Sequence, residues 1–164
     1  MDFRYLDKKK FIDVSRQIFD ILADNMSVIA PTGNSREEDY NCWVSAVSDG
    51  LAREERQIIL ICNDTEIIGF FQYYTNEDIL MMEEIQLKPE FHGKGNIFRN
   101  LYGFLLENVP DNLKYVKAYA NKQNEKSIGI LQRMNLKIDG ENKNSKSWSF
   151  CGNFADLLCW YKGE

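Results

Sequence analysis

The chain has 164 residues, 44% of them hydrophobic and 27% charged, with a formal net charge of −5 and a pI near 5.0. This balance fits one folded domain spanning 1–164 with a sizeable core, and it excludes a disordered chain. The acidic charge argues against nucleic acid as a partner. Four cysteines without a CxxC pair and a single histidine give no zinc pattern, so no metal is expected. The start of the chain lacks an apolar signal core and no run has the length of a membrane span; no membrane association and a cytoplasmic location are expected.

Residues 3–6 predict a first strand. Phe11, Val14, Ile18 and Ile21/Leu22 recur at helical spacing and predict a helix over 8–24. After the Pro31-Thr32-Gly33-Asn34 loop, Ser35 and Glu38 form a capping-box pattern. It opens a second helix whose inner face carries Tyr40, Trp43, Val44, Val47 and Leu51. Cys42 and Cys62 fall inside apolar patterns and are expected as buried thiols.

The period then shifts to that of strands. Residues 57–62, 66–74 and 79–87 are separated by the short turns Asn63-Asp64-Thr65 and Asn76-Glu77-Asp78, which predicts an antiparallel meander. A helix over about 96–108 leads to a strand over 114–120, which should lie parallel to the third meander strand. A helix over 125–134 and strands near 136–138 and 146–151 follow. Residues 154–161 fit either a short helix or an edge segment.

The segment between the third meander strand and the next helix is Lys88-Pro89-Glu90-Phe91-His92-Gly93-Lys94-Gly95-Asn96-Ile97. Two glycines two apart let the backbone turn sharply and approach a ligand closely. Successive N–H groups at a helix start form an anion site suited to a pyrophosphate, with Lys88 and Lys94 adding positive charge. A tight structural turn explains the glycines alone equally well. A dinucleotide fold would place GxGxxG near the start of a parallel sheet, and a P-loop would end in Gly-Lys-Ser/Thr. Neither pattern is present.

The order of elements together with this loop resembles the GNAT acyltransferase superfamily, most densely from Glu66 to Leu136. The family pattern is Gln/Arg-x-x-Gly-x-Gly/Ala; here His92 takes the first position, Gly95 matches, and Ile97 replaces the last small residue. Asn124 and Ser127, followed by a helix, are similar to a second family motif, Asn-x-x-Ala/Ser, and Asn124 is equally an ordinary N-cap. The resemblance implies an α+β GNAT-like fold: a mixed central sheet of about six to seven strands, an antiparallel meander, a helix crossover to a parallel strand, and about four flanking helices. It implies acetyl-CoA as cosubstrate, with cofactor contacts from Ile85, Leu87, His92, Gly93, Lys94, Gly95, Asn96, Ile97, Asn124 and Ser127. The partners implied are acetyl-CoA and an amine acceptor, on a monomer or homodimer.

Acetyl transfer to an amine needs a base, a polarised thioester carbonyl and a proton for the leaving thiolate. Glu83 falls where the family often carries its strand carboxylate. Glu83 is therefore the candidate general base, and Glu84, its neighbour on the opposite strand face, is the alternative catalytic carboxylate; a solvated strand-end charge is the other reading of either. The Leu87 backbone amide is the candidate thioester contact. The family's usual tyrosine position is occupied by Leu131, which cannot donate a proton, so Tyr119 or Tyr102 becomes the candidate acid. Otherwise solvent protonates the thiolate, or the chain binds acyl-CoA without turnover. His92 is equally an exposed histidine with no role.

Overall fold

The computed structural model describes residues 1–53 and 55–164. Seven strands form one sheet: β1 (Asp2–Tyr5), β2 (Arg56–Asn63), β3 (Glu66–Asn76), β4 (Ile79–Leu87), β5 (Tyr115–Asn121), β6 (Lys137–Glu141) and β7 (Ser147–Asn153). Their order is β1-β2-β3-β4-β5-β7-β6. Five α-helices accompany them: α1 (Phe11–Met26), α2 (Arg36–Leu51), α3 (Ile97–Leu106), α4 (Glu125–Arg133) and α5 (Phe154–Lys162). The chain packs as two compact units, Met1–Tyr73 with Glu84–Gly95, and Tyr74–Glu83 with Asn96–Glu164.

In the first unit the apolar stripe of α1 sets the core. Phe11, Ile18 and Ile21 are buried with Val47 and Leu51 of α2 and with Ile58, Leu60, Cys62 and Phe70 of the strands. Trp43 packs against Phe11, Phe19 and Phe70 at ring separations of 5.8, 5.5 and 6.5 Å. The one polar side chain this stripe buries, Ser15, bonds the Ile12 carbonyl at 3.0 Å and the Tyr40 hydroxyl at 2.7 Å, so its burial costs little. The expected capping box is present: the Glu38 amide donates to Ser35 Oγ at 3.2 Å, and the Ser35 amide donates to Glu38 Oε2 at 2.7 Å. Cys62 is buried as expected, but Cys42 is exposed. The correction follows from helix geometry: Cys42 lies about 100° around α2 from the packed Trp43, and an apolar neighbour in sequence does not share its face.

In the second unit β4 pairs parallel with β5 from Ile79↔Tyr115 to Met82↔Ala118. The connection through α3 makes this geometry possible. β5 pairs antiparallel with β7, which pairs antiparallel with β6. All five residues of β6 are exposed, and Lys137, Asp139 and Glu141 charge this edge against strand addition. The segment 154–161, which fitted helix or edge segment, is helix α5, closed by Gly163 in the left-handed region (φ +77°) with its amide on the Cys159 carbonyl at 2.9 Å. Gly103 of α3 permits a close approach, since a Cβ there would lie 2.7 Å from the Tyr161 hydroxyl oxygen.

Burial separates two isoleucines of α1 that sequence spacing alone sets only six residues apart: Ile18 is fully buried, whereas Ile12 is 63% exposed. Ile18→Ala should cost about 2–5 kcal/mol in urea unfolding, and Ile12→Ala should stay within about 0.5 kcal/mol of the parent.

Candidate functional site

The site begins where β4 ends. The Lys88 amide donates to the Ile68 carbonyl at 2.8 Å, so it faces β3. Strand alternation then turns the amides of Leu87 and Ile85 away from β3. Gly69 of β3 lies so near this strand that a Cβ on it would sit 2.5 Å from the Gln86 carbonyl oxygen; only glycine fits. The Leu87 carbonyl accepts two hydrogen bonds, one from Asn25 Nδ2 at 2.9 Å and one from His92 Nε2 at 2.7 Å. The ring nitrogen is necessarily the donor, because a carbonyl only accepts.

Asn25 extends this network. Its Nδ2 also donates to Gln86 Oε1 at 2.8 Å, and Gln86 Nε2 donates to Glu84 Oε1 at 2.6 Å. Glu84 is thereby tied into the support of the strand end, on one face of β4. Glu83 points to the other face and is half-buried, as are its same-face neighbours Met81 and Ile85. Sequence reasoning did not single out Asn25 or Gln86. Asn25 is a polar residue in the last turn of a helix, 61 positions from its partner, and no spacing rule connects the two.

Beyond Leu87 the chain makes a single 3-10 turn at Pro89–Phe91. The amides of Phe91, His92 and Lys94 are consumed by the carbonyls of Lys88, Pro89 and Phe91 at 2.9, 3.1 and 3.3 Å. Among the described residues no backbone carbonyl accepts from the amides of Gly93 and Gly95. Both glycines lie in the left-handed region, with φ of +71° and +62°. A Cβ at either would meet nothing within 4 Å. The glycines therefore serve backbone conformation, and the space before them is open to a ligand. Of the two lysines expected to add charge, Lys88 is ion-paired with Glu66, whereas Lys94 is exposed.

In the second unit Asn96 is also left-handed (φ +56°) and carries no side-chain cap. The first helical bond of α3 runs from the Asn100 amide to the Asn96 carbonyl at 2.9 Å, which leaves the amides of the first turn as free donors. That turn holds no acidic residue, and Ile97 is buried beneath it. Donors at such a helix start suit an anion.

Asn124 is the N-cap of α4: its side-chain oxygen accepts the Ser127 amide at 3.1 Å. Leu131 is buried in the same helix. Of the two candidate acids, Tyr102 is fully buried, with its hydroxyl donating to Met82 Sδ at 3.3 Å and its ring edge-on to Trp160 at 5.3 Å. Burial pushes its phenol well above the usual tyrosine range. Tyr102 therefore packs the core of this unit. Tyr119 on β5 is 50% exposed and remains accessible. Among the described residues no group of three or more His, Cys, Asp or Glu could hold a metal, and no helix is long and apolar enough to cross a membrane.

No protein-family model matches the sequence, and a search of curated proteins finds no match. Solved structures do match. The PaiA N-acetyltransferase from Thermoplasma acidophilum in complex with coenzyme A is 13% identical, with a TM-score of 0.69 over 93% of this chain and 98% of that one. An acetyltransferase assigned to the GNAT family from Desulfovibrio desulfuricans is 10% identical, with a TM-score of 0.67 over 93% and 98%. A spermidine N-acetyltransferase from Vibrio cholerae, in complex with CoA and spermine, is 15% identical, with a TM-score of 0.63 over 96% and 97%.

The double hydrogen bond on Leu87 makes His92 a support of the loop. His92→Ala should destabilise the protein by about 1 kcal/mol and speed hydrogen exchange of the amides from 88 to 95. His92→Gln, which keeps a donor, should fall between the two.

Proposed function

For a chain with the fold of the GNAT acetyltransferases, we propose an acetyl-CoA-dependent N-acetyltransferase that moves an acetyl group to a primary amine of a small molecule or peptide, by direct transfer in a ternary complex. One observation carries this reading: Gly93, Gly95 and Asn96 are all left-handed, with open space before the two glycines and an uncapped helix start directly after them. Free amides in that arrangement fit the pyrophosphate of coenzyme A. His92, Lys94 and Ile97 complete this segment, His92 by supporting it and Lys94 by adding charge. Asn124 and Ser127 enter on the family resemblance, and the cap they form orders the start of α4.

The thioester supplies the activated acetyl group. The chain supplies the remainder. The Leu87 and Ile85 amides, turned away from β3, are positioned to donate to the carbonyl oxygen and to the pantetheine arm. Glu83 takes one proton from the ammonium of the acceptor, directly or through water, and so frees the nitrogen lone pair. A C–N bond then forms as the C–S bond breaks. The thiolate takes up a proton, with Tyr119 as the accessible donor, and the remaining excess N–H proton goes to solvent. Glu84, already tied to Gln86, serves the architecture of the strand end.

A second reading, an acyl-CoA-binding module without turnover, is favoured by Leu131. It is buried at the position where the family usually places a tyrosine. Release of free thiol from acetyl-CoA in the presence of an amine panel separates the two readings, because a binding module shows affinity without release.

Millimolar CoA should raise the melting temperature, and a hundredfold excess over Kd corresponds to about 2.7 kcal/mol. Gly95→Glu should abolish that shift, since its carboxylate would occupy and repel the phosphate position, while the left-handed φ of +62° adds about 1–2 kcal/mol of strain; Gly95→Ala, which carries the same strain without the charge, should retain part of the shift. An unchanged shift would place the cofactor elsewhere.

Glu83→Gln should lower turnover by ~10²–10⁴-fold with CoA affinity retained, and Glu84→Gln should keep most of the activity. Full activity in both variants would remove the strand carboxylates from the mechanism.

A further inference from the structure

Within the second unit, four strands bring one row of residues side by side across the sheet. Met81 of β4 is the register partner of Lys117 on β5, Lys117 of Cys151 on β7, and Cys151 of Lys137 on β6. Residues directly opposite each other share a sheet face, with Cβ atoms about 5 Å apart. Cys151 therefore stands between two lysines, each able to sweep over it on a flexible four-carbon stem. Cys151 is partly exposed, Lys117 is half-buried and Lys137 is exposed, so a small reagent can reach all three. The row holds no carboxylate, and neither lysine forms an ion pair or a side-chain hydrogen bond among the described residues. The two exposed cysteines on helices are placed differently. Cys42 has Glu38 and Asp39 one turn before it, and Cys159 has a single lysine, Lys162, three residues on.

We infer that this row is a self-acylation site, in which Cys151 takes the acyl group of a small acyl thioester and passes it to one of its two flanking lysines. The inference does not rest on the acetyl-transfer reading. In the first step the Cys151 thiolate attacks the thioester carbonyl. A new C–S bond forms, the donor's C–S bond breaks, and the departing thiolate takes a proton from water. A lysine that has lost its proton to solvent then attacks the acyl carbon. The C–N bond forms, the C–S bond to Cys151 breaks, and the excess N–H proton goes to the sulfur, so the thiol is regenerated and no oxidant is needed. The other lysine, still charged, donates to the oxyanion that develops in each step. Exchange between two thioesters is nearly balanced, whereas the amide is the more stable product and draws the acyl group on to nitrogen. Holding thioester and amine on adjacent strands makes this second step intramolecular.

The test treats the full chain with S-acetyl-N-acetylcysteamine, an acetyl thioester without a nucleotide, and then with neutral hydroxylamine, which cleaves thioesters and spares amides. Peptide mass spectrometry reads the acetyl-lysine that remains. Lys117 and Lys137 together should be acetylated about tenfold or more faster than Lys9 and Lys143, exposed lysines on segments without a cysteine. Cys151→Ser should bring them down to the rate of those two. With Lys117→Arg and Lys137→Arg combined, which keeps both charges, the acetyl group should stop on Cys151 and be released by hydroxylamine. The combined variant leaves Cys151 in place, so the test does not hinge on the folding of Cys151→Ser. Labelling no faster than at Lys9 and Lys143, labelling unchanged in Cys151→Ser, or no hydroxylamine-labile acetyl on Cys151 in the combined variant would overturn the proposal. Because the probe carries no pyrophosphate, a missing CoA-dependent thermal shift would overturn the acetyl-transfer reading alone and keep this site.

Discussion

The peptide group of Leu87 is held from both sides of the chain, and the loop geometry depends on it. Its carbonyl accepts from Asn25 at the end of α1 and from His92 five residues further along. Asn25 locks the strand end to the first helix. His92 closes the path by which the chain leaves the sheet. A peptide is planar, so fixing the Leu87 carbonyl also fixes the Lys88 amide, which donates to the Ile68 carbonyl at 2.8 Å. Strand alternation then aims the Leu87 amide away from β3, and a backbone donor aimed before any ligand arrives needs no reorganisation when charge develops on a carbonyl oxygen.

The loop that follows trades internal bonding for exposed donors. Three of its amides are consumed in tight turns, and among the described residues no backbone carbonyl accepts from those of the two glycines. Gly93 and Gly95 are left-handed, and a Cβ at either position would meet nothing within 4 Å. At Asn96 the same conformation is adopted by a residue that tolerates it better than most others. The helix start beyond it has no cap of its own and no acidic residue, so its donors and its positive dipole end stay available.

The two adjacent glutamates of β4 illustrate how one strand divides roles between its faces. Glu84 joins a chain of side-chain bonds running through Gln86 to Asn25, which gives it an architectural part. Glu83 lies on the other face and is half-buried. Hydrophobic burial makes a similar division among the tyrosines. Tyr102 is enclosed and its proton is held, while Tyr119 stands half in solvent.

Much of this was determined by the sequence itself, because the signals concerned are local. The apolar spacing of α1, the Ser35/Glu38 capping box, the short turns of the meander and the glycine pair each act within a few residues of themselves. They were legible as elements and as a candidate anion loop. The single α3 crossover dictated the parallel pairing of β4 with β5 through chirality and connection length. What only the tertiary structure decided are the contacts between residues distant in sequence. Nothing near Asn25 announces that it will meet Gln86 and Leu87, and nothing near Lys88 announces its pairing with Glu66. Cys42 was expected to be buried because its sequence neighbours are apolar, but the rotation of α2 set by Trp43 and Val47 turned it outward. The segment 154–161 was ambiguous because short apolar runs serve helices and strands alike; packing against α3 at Gly103 resolved it. Local chemistry fixes which conformation each segment prefers, whereas partners, exposure and charge balance depend on which segments the folded chain brings together.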